Sequence, residues 1–225
     1  MMAFTLSVTG CKSALSTYYS PALQLDGEYE CGLIFLSTFN SIPNIDHNNN
    51  KFFYGDNGVI EIPEGSYELS DINDYLKNNL KDCTFKLTCN NNTLNTNIFC
   101  SKDIHFEKIG SIGRILGFGS EILKANILHE SLFPVSILPS TIIRIECDIV
   151  SGSYINGKPS HIIYEFAPNV PPGYRIIEIP KNLIYFPVNQ NTVSEINVRI
   201  LDENNNLLNL RNEQLHLYLH LRRKC

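Results

Sequence analysis

A chain of 225 residues with 43% hydrophobic and only 18% charged residues has enough apolar content to pack a core without a disulfide or metal staple, which excludes a disordered chain. Its net charge of -5, with 18 Lys and Arg against 23 Asp and Glu, argues against a protein that coats a phosphate backbone. No apolar run approaches the roughly 18 residues a membrane helix needs.

The first residues read poorly as an export signal: Met1 to Leu6 carry no charge, and Ser7, Thr9, Gly10 and Lys12 break up the next stretch. After them the dominant period is two. Strands are predicted over 4–9, 29–37, 51–54 and 59–62. A helix is predicted over 70–80: Ser70 caps it, Asp71 and Asp74 suit its positive end, and Lys77 and Lys81 suit the other. Leu69, Ile72, Leu76 and Leu80 give that helix one apolar stripe. Cys83, Phe85, Leu87 and Cys89 then alternate with Thr84, Lys86 and Thr88, and Asn90 to Asn92 link this strand to one over 93–100. A short helical turn at 111–116 is closed by Gly117. Over 141–149, Ile143, Ile145, Cys147 and Ile149 face one way and Arg144, Glu146 and Asp148 the other. Asn156-Gly157 is a hairpin dipeptide, since both residues tolerate positive φ. Further strands are predicted over 161–166, 174–179, 183–187 and 193–201. The last, over 213–222, alternates most cleanly: Leu215, Leu217, Leu219 and Leu221 oppose His216, Tyr218, His220 and Arg222.

Strict alternation marks antiparallel strands with one buried and one wetter face. Joined by short turns, these strands predict an all-β antiparallel β-sandwich, a single jelly roll with one or two short side helices. The expected organisation is one jelly-roll domain over 21–225, with 1–20 as an N-terminal arm or extra strand.

Little in the chain suggests chemistry. The seven cysteines form no C-x-x-C and several alternate with apolar residues, so they read as core filling in a reducing compartment. Gly152 to Lys158 matches most of a phosphate-binding loop. Pro159 stands where that motif needs Ser or Thr, and an Asn-Gly hairpin explains the same letters. His216 and His220 share a strand face, but positions i and i+4 of a strand are about 13 Å apart, too far for one metal. His129-Glu130 lacks the second histidine of a zinc-protease motif, and no Gly-x-Ser-x-Gly elbow occurs. No catalytic, cofactor-binding or metal residue is assigned, and the chain reads as a non-enzyme. Arg222-Arg223-Lys224, with Arg211 upstream, is the basic cluster at which a weak nucleic-acid contact is conceivable. One triplet on an acidic chain favours a solubilising end instead.

Several stretches carry a family resemblance: Leu25-Asp26-Gly27-Glu28-Tyr29-Glu30-Cys31-Gly32-Leu33, Asn40-Ser41-Ile42-Pro43-Asn44, Ile62-Pro63-Glu64-Gly65-Ser66-Tyr67 and Ile143-Arg144-Ile145-Glu146-Cys147. With them go the Ile109-Gly110-Ser111-Ile112-Gly113-Arg114-Ile115-Leu116-Gly117-Phe118 turn and, most distinctively, Tyr164-Glu165-Phe166-Ala167-Pro168-Asn169-Val170-Pro171-Pro172-Gly173-Tyr174. From about Ser16 to Lys224 the chain resembles the minor capsid (penton) protein of Polinton/Maverick elements and related adintovirus-like DNA viruses. The resemblance implies a virion protein at the five-fold vertices of an icosahedral capsid. It would assemble inside the host cell, in nucleus or cytoplasm, as a pentamer beside a double jelly-roll major capsid protein. Neither a membrane nor a small-molecule substrate is expected. The rival readings are a lectin-like or cytokine-like jelly-roll binding module, host-domesticated or not, and a cupin-like metalloenzyme. The last requires three converging His or Glu ligands, a spacing the sequence does not offer.

Overall fold

The computed structural model describes residues 3–137 and 142–224, so Thr141, the expected first residue of one strand, and Cys225 lie outside the described residues. The chain gathers into two compact units, one of residues 1–42 with 140–225 and one of residues 43–139. Strands β1 (Ala3–Gly10), β2 (Ala14–Gln24) and β3 (Tyr29–Phe39) open the first unit. The second unit then runs through β4 (Lys51–Tyr54), β5 (Gly58–Glu61), α1 (Leu69–Asn79), β6 (Phe85–Cys89), β7 (Asn95–Cys100) and β8 (Ile104–His105). It closes with a 3-10 turn at Ile112–Arg114, β9 (Ile122–Leu123) and β10 (Leu128–Pro134). The chain returns to the first unit in β11 (Ile143–Cys147), β12 (Ser153–Ile155), β13 (Lys158–Ser160) and β14 (Ile162–Phe166). It ends in β15 (Arg175–Glu178), β16 (Phe186–Pro187), β17 (Thr192–Leu201) and β18 (Leu215–Arg223).

Two sheets build the first unit, in the orders β1-β18-β3-β15 and β14-β11-β17-β2, with every pair antiparallel. Setting aside the β12–β13 hairpin and the short β16, eight strands remain. The first, eighth, third and sixth form one sheet, and the second, seventh, fourth and fifth the other. That interleaving is the two-Greek-key order of a jelly roll. Its core obeys the alternation: Leu215, Leu217, Leu219 and Leu221 of β18 are buried with Cys31, Leu33 and Leu36 of β3, and with Ile145, Cys147, Ile196, Val198 and Ile200 of the other sheet. Each fully buried leucine contributes roughly 1.5–3 kcal/mol over an exposed one. The β18 stripe alone therefore holds the central strand in register, since a one-residue slip would turn all four outward.

Residues 43–139 have a core of their own. Phe52, Ile62, Ile98, Ile104, Ile112 and Leu116 pack with Ile72 and Leu76 of α1. Around it lie a three-stranded sheet, β10-β7-β6, and a four-stranded one, β5-β4-β8-β9. The strand pattern predicts one domain over 21–225; the structure divides the apolar residues between two cores, the second inserted between β3 and β11. Alternation records which side of a strand is apolar but not which sheet covers it, so the division left no mark on the pattern. Residues 1–20, expected as an arm or extra strand, hold β1, paired along its length with β18, and the first half of β2, paired with β17.

The two expected helices both belong to the second unit. The first starts earlier than expected. Glu68 is its N-cap, and its backbone N–H donates to Asp71 Oδ2 at 2.9 Å, which leaves Ser70 inside the first turn. Ser111 caps the 3-10 turn by accepting from Gly113 N at 3.1 Å, and Gly117 comes after it at φ +80°. Asn156 and Gly157 take φ of 49° and 78° in the two-residue loop between β12 and β13. The phosphate-loop look-alike is thus a hairpin.

Candidate assembly surface

The two outer faces of the jelly roll differ in chemistry. On the β11–β17 sheet the outward residues neutralise one another. Arg144 pairs with Glu165 at 2.8 Å, Arg199 with Glu146, and Asp148 accepts from both the backbone and side-chain nitrogens of Asn197. That face is a solvated, charge-compensated surface.

The outer face of the β18–β3 sheet mixes aromatic side chains with histidines and a charged pair. His216, Tyr218, His220 and Arg222 stand opposite the buried leucines, as the alternation predicts, beside Ser37, Phe35, Gly32 and Glu30 of β3. Phe35 stacks on Tyr218 with ring centroids 5.2 Å apart, and the Arg175 guanidinium lies 5.5 Å from the Phe39 ring. At the sheet edge, Ile177 of β15 and, just beyond it, Ile179 and Ile184 are more than half exposed. Isolated exposed apolar residues are ordinary; here three lie on or close after the β15 edge strand.

A strap fixes part of this face. The backbone at Ile184 and the side chain of Tyr185 lie over Gly32, where a Cβ would lie 2.9 Å from the Ile184 carbonyl oxygen and 3.3 Å from the Tyr185 ring. A glycine inside a strand marks such a close approach. Tyr185 Oη hydrogen-bonds His220 Nδ1 at 2.8 Å, and the Arg222 guanidinium sits 3.6 Å from the Tyr185 ring centroid while its Nε donates to Glu30 at 2.6 Å. Nothing in the sequence links Tyr185 to β18; the only signal was Gly32 within a strand-like run. His220 is thereby committed to a tyrosine and stands four strand positions from His216. Among the described residues no group of three His, Cys, Asp or Glu side chains is placed to hold a metal ion, and no helix is long and apolar enough to cross a membrane.

The basic end is largely neutralised. Arg222 is paired with Glu30, Lys224 Nζ with Glu28 at 3.2 Å, and the Arg223 side chain lies against Gly27. Without a free cluster to displace counterions, the chain is expected to leave duplex DNA unretarded in a mobility-shift assay at physiological salt. Retention that weakens steeply with added salt would return Arg222 to Lys224 to the nucleic-acid contact considered from sequence.

Tyr164 closes the edge of the sandwich. Its hydroxyl, on β14, donates to Glu178 Oε1 on β15 at 2.7 Å, and burial together with that carboxylate pushes its pKa up to about 12. The folded chain holds this proton where the unfolded chain, titrating near 10, has lost it. The contribution of Tyr164 to stability is therefore expected to be present and constant below about pH 10 and to be lost as pH rises from 10 to 12. Denaturant midpoints across that window should fall less in Tyr164→Phe than in the parent.

Within residues 43–139 lies a cleft of about 830 Å³ whose lining includes Asp46, Lys108, Ser111, Arg114, Phe118 and Phe133. Asp46 is engaged by Asn48, and Lys108 lies 5.2 Å from the Phe53 ring centroid. The lining offers cations and aromatic surface but no nucleophile held by a base. His129, singled out in the sequence, hydrogen-bonds the Lys124 carbonyl at 2.9 Å and lies outside this lining.

No protein-family model matches the chain, and no curated protein matches it. Among solved structures, the crystal structure of the mavirus penton protein shares its fold, with a TM-score of 0.52 and 12% sequence identity over 99% of each chain. At that identity the likeness is one of fold.

Proposed function

We propose that this chain is a structural virion protein, the penton subunit of an icosahedral capsid, from the Polinton/Maverick and adintovirus-like group whose proteins its sequence resembles. The observation that carries the reading is the fold likeness to a penton protein, which spans 99% of both chains and so takes in residues 43–139 as well as the sandwich. The chain acts by assembly rather than by chemistry. Five copies close a ring through heterologous contacts, each copy offering one surface to the next copy's different surface. The outer face of the β18–β3 sheet and its β15 edge supply one of those surfaces, while the charge-compensated β11–β17 face stays wet. A double jelly-roll major capsid protein surrounds the ring.

Analytical ultracentrifugation and electron microscopy of the chain, alone and co-expressed with such a major capsid protein, test this. Five-fold rings or occupied vertices are expected; a strict monomer under every assembly condition would sink the proposal. Ile177→Glu places a charge on the exposed edge without touching the core, and should weaken ring formation about tenfold or more, the equivalent of ~1.4 kcal/mol. Its circular dichroism should match the parent's.

The cleft within residues 43–139 favours a second reading, a jelly-roll binding module without enzymatic activity. Monomers under all conditions, together with a ligand that raises the unfolding temperature of the chain but not of Arg114→Ala, would favour it.

A further inference from the structure

Cys83 lies between α1 and β6, Cys100 ends β7, and the register sets Phe85, two residues beyond Cys83, directly opposite Cys100. The two sulfur atoms are 3.2 Å apart, about 1 Å more than the ~2.05 Å of a disulfide bond. Backbone ties hold the pair from both sides: Ser101 N donates to the Thr84 carbonyl at 3.0 Å, and Thr84 N donates to Ser101 Oγ at 3.0 Å. The sulfurs are therefore in contact and must close by about 1 Å to bond. Each sulfur also receives a hydrogen bond, from Ser101 Oγ to Cys83 Sγ and from Lys102 N to Cys100 Sγ, both at 3.4 Å.

We propose that Cys83 and Cys100 form a redox-modification site, a dithiol that a low-molecular-weight disulfide converts into an intramolecular disulfide. Cys83 is half-buried and open to the reagent, whereas Cys100 is buried, and burial pushes its thiol up to about 12. This difference in access sets the order of steps. The Cys83 thiolate attacks one sulfur of the small disulfide, forming a mixed disulfide and expelling one thiolate, which takes up the proton Cys83 released. Cys100, deprotonated as it reacts, attacks Cys83 Sγ and expels the second small thiol, which carries off the second proton. Two electrons and two protons pass from the protein to the small disulfide, which leaves as two thiols. The product pins the α1–β6 link to the end of β7. A chain kept in a reducing compartment holds the dithiol, and transfer to an oxidising medium closes it. The proposal stands apart from the capsid reading.

The other cysteines supply controls. Cys31 and Cys147 are fully buried in the sandwich core, where their mutual hydrogen bond and burial hold the Cys31 thiol well above its usual range. They face one another but are closed to reagent. Cys11 is exposed, and Cys89 is half-buried with its thiol on the Asn90 carbonyl.

The test treats the full chain with oxidised glutathione, alkylates the remaining thiols, and maps peptides without reductant. The expected result is a peptide joining Cys83 to Cys100, lighter by two hydrogens than the dithiol, reopened by dithiothreitol, with Cys31 and Cys147 untouched in the native protein. The oxidised parent should also unfold at higher temperature than the reduced parent. Cys100→Ala should stop at a persistent glutathione adduct on Cys83, and Cys83→Ala should leave Cys100 a free thiol. The proposal is overturned if the parent itself stops at the Cys83 adduct, or if Cys83 pairs with a cysteine other than Cys100. The parent map decides this even if neither variant folds.

Discussion

Gly117→Ala is expected to cost about 3–5 kcal/mol of stability, among the largest effects a single methyl group has in this chain. Gly117 sits at φ +80°, and a Cβ there would lie 2.1 Å from the Phe133 carbonyl oxygen and 3.0 Å from both its carbonyl carbon and Ser131 Oγ. None of these neighbours can step aside. Phe133 N donates to the Gly117 carbonyl at 3.1 Å, Ser131 Oγ donates to the Phe133 carbonyl at 2.7 Å, and Thr96 N donates to Ser131 Oγ at 2.9 Å. Thr96 Oγ1 in turn donates to the Leu116 carbonyl, so the turn, β7 and β10 share one buried network. With no tryptophan in the chain, urea unfolding is best tracked by far-ultraviolet circular dichroism or tyrosine fluorescence. A loss under about 1 kcal/mol would mean that the turn re-forms elsewhere.

Asn44→Leu should cost nearly as much, about 3 kcal/mol, through polar groups left without partners rather than through strain. Asn44 is almost fully buried. Its Nδ2 donates to the carbonyls of Tyr67 and Ile137 at 2.7 and 2.8 Å, and its Oδ1 accepts from Tyr67 N at 2.9 Å. Leucine fills a similar volume and satisfies none of the three. Asn44→Asp should fare worse, because it turns a carboxylate toward two carbonyl oxygens. Hydrogen exchange should report the loss at the Tyr67 amide; if that amide stays protected in Asn44→Leu, another group has taken over the bond.

A strand is legible in the sequence when its two faces are unlike. β11, β17 and β18 alternate because one side meets the sandwich core and the other meets solvent, so their buried residues can be named one by one. β2 escapes notice because it is an edge strand with no fully buried residue, and its Ser, Thr and Tyr carry little contrast. β10 escapes because Leu128, Leu132 and Phe133 are exposed and its register with β7 shifts after Glu130. The outer face of β18 is legible for the same reason its inner face is. The Tyr185 strap is not, since it joins β18 from an irregular segment with no period to read.

Three of the stretches that carry the family resemblance form turns or joints. Asn40 bonds the Val170 carbonyl through Nδ2 and the Tyr174 carbonyl through its backbone N–H, while Gly173 N donates back to the Asn40 carbonyl. Two of these motifs, distant in sequence, therefore lock together. Ser41 Oγ reaches the Leu210 carbonyl at 2.7 Å. Gly110 and Gly117, both at φ +80°, bracket the 3-10 turn. Each is a position where one residue type satisfies a backbone need that its neighbours cannot.

The clasp at Asn44 reaches beyond its own hydrogen bonds. By holding residue 44 to residue 137 it brings the two ends of the insert to one point, so the sandwich bears little more loop-closure entropy than a short surface turn would demand. The insert then behaves as an exchangeable cassette. Its interior is free to diverge, or to be swapped by an engineer for another domain with adjacent ends, as long as the doorway is kept.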